Sequence, residues 1–117
     1  MIKKRTETAE LETQNDAQVL LTVTIGNAQI GGNVVRFKDA PVLLAKGEIT
    51  RLVIGNGSEL VGKTLKIVTN ILDVNEQTNK IVVTYFVEGC TPLVTVFNDT
   101  VGNEGDIFSL TVEFTFK

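Results

Sequence analysis

Apolar and polar residues alternate along most of the chain from Gln18 onward, with the period of a β-strand. The clearest example is IFSLTVEFTF (107–116), in which every even-numbered residue is apolar and the residues between them are polar from Ser109 onward. QVLLTVTI (18–25) alternates in the same way, with Val19, Leu21, Val23 and Ile25 on one side. Both segments are predicted to be strands that bury one face.

Shorter apolar segments, separated by Gly, Asn and Pro, predict further strands and no convincing helix. These strands are predicted at 34–37, 42–45, 49–54, 64–74, 80–88 and 93–97. About eight short strands at this spacing are typical of an all-β, antiparallel two-sheet β-sandwich. The pattern leaves C2-like, immunoglobulin-like and jelly-roll arrangements open.

Two connections in this pattern are predicted to be hairpin loops. Segments 64–74 and 80–88 flank NEQT, which suggests a β-hairpin with a loop of about four residues. The first arm is irregular at Ile71 and Leu72, where a bulge would restore the inward face. NDTVGNEGD (98–106) is interpreted as the hairpin loop before the last strand, because Asn, Asp and Gly favour turns.

Residues 1–16 differ from the rest because they are polar, with Glu and Thr nearly alternating. They are expected to be a flexible polar arm or an edge strand, while residues 17–117 form a single sandwich domain. A short helix over 8–14 would have no apolar stripe with which to dock.

Composition argues against several classes of function. The chain has no histidine, so the commonest general base and metal ligand is absent, and Ser58 and Ser109 cannot belong to a histidine triad. Cys90 is the single cysteine and is expected to be a structural thiol. The net charge is −3 with dispersed basic residues, which argues against nucleic-acid binding. We therefore expect no catalytic residues and no cofactor.

The octapeptide GSELVGKT (57–64) matches the phosphate-loop pattern G-x-x-x-x-G-K-[ST]. In a nucleotide site Gly57, Gly62, Lys63 and Thr64 would surround a phosphate, and a helix would have to follow. TLKIVTNILDV is instead rich in β-branched residues, which favour a strand. We interpret the octapeptide as a turn in which Gly55, Gly57 and Gly62 have positive φ angles.

Acidic residues in predicted loops raise the question of a metal site. Asp99 and Asp106 are weak candidates for calcium ligands, because loop carboxylates suit that ion but the closely paired D-x-D spacing is missing. Glu88 and Glu113 lie on predicted strands and could form a glycosidase pair only if they met in a cleft. A solvated outer face is the simpler interpretation for both.

Some apolar residues fall on predicted outer faces, where polar residues are expected. They are Leu20, Val82, Phe86, Val94 and Val96. These positions are either core, if the register differs by one, or a patch for self-association or for a partner.

We therefore expect a non-enzymatic module that acts by protein contact or in a structural role, with a protein partner or as a homo-oligomer. One alternative is a module whose loops bind calcium, a sugar or a lipid headgroup, and another is nucleotide binding through residues 57–64. No apolar run reaches the roughly 20 residues that span a bilayer, and the start lacks the apolar core of a secretory signal. Cytoplasmic localisation is the default expectation.

Overall fold

The computed structural model describes residues 1–117 as ten strands and one single-turn helix. The strands are β1 (Ile2–Thr13), β2 (Gln18–Ile25), β3 (Ile30–Phe37), β4 (Ala45–Gly47), β5 (Leu52–Asn56), β6 (Thr64–Leu72), β7 (Lys80–Glu88), β8 (Cys90–Thr91), β9 (Val94–Thr100) and β10 (Ile107–Phe116). The helix is α1 (Gly57–Leu60). The strands β1 and β8 are additional to the eight that the sequence predicted.

The strands form two sheets that pack face to face, which confirms the predicted β-sandwich. The larger sheet has the order β4-β3-β6-β10-β1-β8, and the smaller has the order β5-β2-β7-β9. All pairings are antiparallel except that of β1 with β10, which is parallel.

The core lies between the sheets and is built from alternate residues of the long strands. Strand β10 contributes most, because its five even-numbered side chains are all at most 1% exposed. Beside them in the same sheet are Leu65, Ile67 and Ile71, and the smaller sheet contributes Ile81, Val83 and Val87. All of these residues belong to one cluster of 21 buried apolar residues. Alternation in the sequence therefore corresponds to alternation between core and surface.

Residues 2–13 form strand β1 and lie beside β10, from Ile2 opposite Ile107 to Leu11 opposite Phe116. The considered helix over 8–14 does not form. Leu11 is fully buried and Ala9 packs against the core, so this polar segment is anchored by its last inward-facing residues.

The segments predicted to pair as a hairpin lie in different sheets. Strand β6 pairs with β3 and β10, whereas β7 pairs with β2 and β9, so the hairpin prediction was wrong. The connection 73–79 is an arch that crosses from one sheet to the other. The connection 101–106 does the same between β9 and β10, so it is not a hairpin loop either.

The bulge predicted at Ile71 and Leu72 does not form. Strand β6 pairs without a shift on both sides through Ile71 and Leu72. The one register shift in the two sheets lies between Val19 and Leu20, where β2 pairs with β5.

Gln29, which lies just before β3, holds the 73–79 arch in place. Its Oε1 accepts hydrogen bonds from the backbone N–H groups of Val74 (2.8 Å) and Asn75 (3.0 Å). Its Nε2 donates to the carbonyls of Thr78 (3.3 Å) and Lys80 (3.4 Å). One buried amide thus satisfies backbone groups that a hairpin ladder would have paired.

We expect Gln29→Ala to lower the free energy of unfolding by about 2 kcal/mol, because two backbone N–H groups lose their buried acceptor. Urea denaturation would measure the change. The control is Gln77→Ala, an exposed amide in the same arch, which should change stability by less than about 0.5 kcal/mol. Equal effects of the two variants would contradict the role of Gln29.

Asp73 continues the inward-facing series of β6 and is fully buried. Neither of its carboxylate oxygens has a hydrogen-bond partner, although its backbone N–H and C=O pair with Asp106 and Gly105. An unpaired buried carboxylate is unfavourable, so this residue limits the stability of the fold.

We expect Asp73→Asn to raise the free energy of unfolding by about 1 kcal/mol near neutral pH, because burial of a neutral amide is less costly than burial of a carboxylate. Urea denaturation would measure this change in the free energy of unfolding. The control is Asp16→Asn, at an exposed position. A loss of stability in the Asp73 variant alone would show that the carboxylate has a favourable partner.

Candidate functional site

The outer face of the smaller sheet carries six apolar residues among polar ones, and we call these six the apolar outer face. Its members are Leu20, Val53, Val82, Phe86, Val94 and Val96, and they come from all four strands of the sheet. Five of these residues were singled out in the sequence. Val53 was missed because it lies in a short strand, where Leu52 and Ile54 on either side contribute to the core.

Strand register brings these side chains together. Val94 lies opposite Phe86, and Leu20 lies opposite Val53. Thr84 lies opposite Val96, so it is the polar residue between the apolar ones. Opposite side chains on one face of a sheet are about 5 Å apart, so these pairs are in contact, whereas Glu88 lies opposite Leu20 and Thr22 opposite Phe86.

None of the six side chains belongs to the core cluster or packs against it. Val53, Val94 and Val96 are 53%, 40% and 47% exposed, whereas Phe86 and Val82 are half-buried. Leu20 is only 9% exposed, yet it too lies outside the cluster. These residues lie on the outside of the sandwich, and binding through them stays a prediction.

Charged groups border the apolar outer face near the start of β5. The Arg51 guanidinium donates to Glu88 through Nε (3.1 Å) and Nη2 (3.4 Å). The backbone N–H of Arg51 donates to Thr22 Oγ1 (2.9 Å). Because Glu88 lies opposite Leu20 and Thr22 opposite Phe86, these polar groups lie among the apolar residues.

The octapeptide 57–64 lacks the geometry of a phosphate loop, since strand β6 begins at Thr64 where a helix would be needed. Its backbone N–H groups also have protein acceptors. Gly57 donates to the carbonyl of Ala17 (2.8 Å), Gly62 to that of Phe116 (2.8 Å), and Lys63 to that of Leu60 (2.9 Å). These donors are directed into the fold and not toward a shared anion.

The glycines of this segment are needed for two different reasons. Gly62 has a φ of 87°, as expected for a turn before a strand. Gly57 does not have a positive φ, contrary to prediction, because it begins α1. A Cβ at Gly57 would lie 2.3 Å from the carbonyl oxygen of Gln14, so close backbone contact requires glycine there.

The two candidate calcium ligands pair with cations of the protein. Asp99 accepts hydrogen bonds from Lys3 Nζ (2.6 Å) and Arg5 Nη1 (3.1 Å). Asp106 lies 3.4 Å from the amino group of Met1. No group of three Asp, Glu, Cys or His side chains is placed to hold a metal ion.

The remaining candidates for catalysis, Glu88, Glu113 and Cys90, do not form a site together. Glu88 pairs with Arg51 on the outer side of the smaller sheet, whereas Glu113 pairs with Lys38 (3.0 Å) on the larger sheet. Cys90 is buried, and this burial raises the pKa of its thiol. A raised pKa disfavours the reactive thiolate.

A charged cluster closes the sandwich where β1 of one sheet approaches β9 of the other. Arg5 donates to Asp99, Glu7 and the carbonyl of Asn98, and its guanidinium lies over the Phe97 ring. No local pattern in the sequence indicates this cluster, because β1 and β9 are far apart along the chain.

Burial of Asp99 favours a higher pKa, but hydrogen bonds from Lys3, Thr100 and Arg5 outweigh it and lower the pKa below its ordinary 3.8. A lowered pKa in the folded state means that the ionised carboxylate stabilises the protein above about pH 4. This stabilisation is lost as the pH falls through the lowered value.

We therefore expect Asp99→Asn to reduce the free energy of unfolding by about 1 kcal/mol at neutral pH and by less at about pH 2.5. Urea denaturation at both pH values would measure the difference between variant and wild type. A pH-independent difference would contradict the assignment.

Comparisons with protein-family models, with curated proteins and with solved structures find no match to this chain. The structure has no helix of the length and apolar character that a membrane crossing requires.

Proposed function

We propose that this protein is a non-enzymatic β-sandwich module that acts by protein–protein contact through the apolar outer face. The observation that carries the proposal is that six apolar residues lie on the outer face of one sheet, on all four of its strands and outside the core cluster. Apolar residues gathered on an outer face mark interaction sites on folded proteins.

The composition of the patch fits a protein partner. Interfaces combine an apolar, partly aromatic centre with a polar margin, and aromatic side chains near the centre contribute most to affinity. Phe86 lies beside Val94 of the neighbouring strand, and the Arg51–Glu88 pair lies on the same face. We infer a partner that presents a flat apolar surface with polar groups around it.

The absence of enzymatic activity is part of the proposal. It is supported by the lack of histidine, by the dispersion of Glu88 and Glu113 over opposite sides, and by the buried Cys90 thiol. The thiol of Cys90 has no histidine that could activate it, because the chain contains none.

We expect Val96→Lys to abolish partner binding while changing the free energy of unfolding by less than about 1 kcal/mol, because this valine is half exposed. The measurement is affinity capture from the source cells with quantitative mass spectrometry, together with urea denaturation of each bait. The control is Asn70→Lys, an exposed strand residue of the larger sheet.

Partners retained by wild type and by the Asn70 variant but lost by the Val96 variant would support the proposal. Partners retained equally by all three baits would contradict it.

A further inference from the structure

Strand β1 presents a long unpaired edge. One side pairs with β10 along residues 2–11, and the other pairs only at Glu12 and Thr13 with the two-residue strand β8. The outer side of β1 is therefore open from Ile2 to Leu11. An edge of this length can add a further strand.

The hydrogen bonds at both ends of β1 show which backbone groups face this open side. Met1 and Leu11 accept from Ile107 and Lys117 of the β10 segment, and Thr13 donates to the carbonyl of Lys117. Odd-numbered residues of β1 therefore bond toward β10. The even-numbered residues Ile2, Lys4, Thr6, Thr8 and Glu10 direct their N–H and C=O groups outward.

Charge is distributed unevenly along β1. The first half carries Lys3, Lys4 and Arg5, and the second half carries Glu7, Glu10 and Glu12. Two copies of this strand in antiparallel orientation place the basic half of each beside the acidic half of the other. The edge is thus electrostatically complementary to itself.

We propose that β1 pairs with β1 of a second copy of this chain, antiparallel and with Thr6 on the two-fold axis. In such a ladder, outward-directed residues must lie opposite each other, so each even-numbered residue faces an even-numbered one. This condition allows two-fold axes at any residue of the edge, and charge and space select among them.

A two-fold axis at Arg5 would place Arg5 against its own copy, and an axis at Glu7 would do the same for Glu7, which is unfavourable. The Glu7 axis would also bring the second copy against Glu12, where β8 already pairs. With the axis at Thr6, Arg5 of each chain lies opposite Glu7 of the other. The paired segment, 2–10, ends before β8.

This pairing joins the two larger sheets into one continuous sheet across the dimer. It uses the edge of the larger sheet, so it is independent of the apolar outer face. Inward-pointing charges such as Lys3 and Arg5 commonly discourage edge pairing. In β1 the basic residues precede the acidic ones, so an antiparallel second copy brings opposite charges together. The same charges therefore favour this register.

Size-exclusion chromatography with light scattering tests the proposal on the full chain. We expect wild type to have a mass of about twice 12.7 kDa and to dissociate on dilution. Thr6→Pro removes the central N–H of both strands without removing a bond to β10, and should raise the dissociation constant by about 30-fold. Circular dichroism would verify that this variant folds.

The matched control is Lys46→Pro, which alters an outward N–H on β4, at the other edge of the larger sheet. Lys38 N–H bonds to the Thr64 carbonyl, so even-numbered residues of β3 bond toward β6 and Lys46, opposite Val34, directs its N–H outward. The Lys46 variant should dimerise like wild type. A wild-type monomer at all concentrations, or dimers disrupted by the Lys46 but not the Thr6 variant, would overturn the proposal.

A second measurement tests the register. Residues opposite each other in a hydrogen-bonded pair have Cα atoms about 5.5 Å apart, a separation that a disulfide can bridge. We expect Thr6→Cys to form a disulfide-linked dimer on mild oxidation at least about tenfold faster than Thr8→Cys, whose counterpart is offset by several residues. Equal rates, or faster linkage of the Thr8 variant, would overturn the register.

Discussion

Burial of the even-numbered side chains of β10 is the interaction on which the rest of the structure depends. These five residues are almost inaccessible to solvent, and β10 lies between β6 and β1 in the larger sheet. Apolar burial is the dominant favourable term in folding, so the strand with the most regular alternation becomes the centre of the sheet. Strand β1 covers the remaining edge of β10 in parallel orientation.

The sequence predicts which side of each strand is buried, but it does not predict which strands pair with each other. Alternation identifies the buried side of β10, β2 and β7 because side chains point to opposite sides of a strand in turn. It does not distinguish a hairpin from an arch, since both place the same residues inward. Gln29 stabilises the arch between β6 and β7 from about 45 residues away, and no local pattern contains such a contact.

For the octapeptide 57–64, the composition of the residues that follow was a better guide than the match to the phosphate-loop motif. β-branched residues after Thr64 correctly predicted strand β6, and with it the lack of a helix N-terminus. The reason for Gly57 could not be predicted, because it depends on the Gln14 carbonyl of a distant segment. The apolar outer face was partly visible in the sequence, since five of its members break the alternation of long strands. Val53 lies in a strand too short for its alternation to stand out.

The pairing of β1 with β10 joins the first and last strands of the sandwich, which are about one hundred residues apart. Contacts at such separation slow folding, because a long loop must close before they form. During synthesis, β6 and β1 have no partner for their β10-facing edges until β10 itself has been made. The larger sheet is therefore completed only once β10 has emerged, and a chain that lacked β10 would expose these two unpaired edges to other chains.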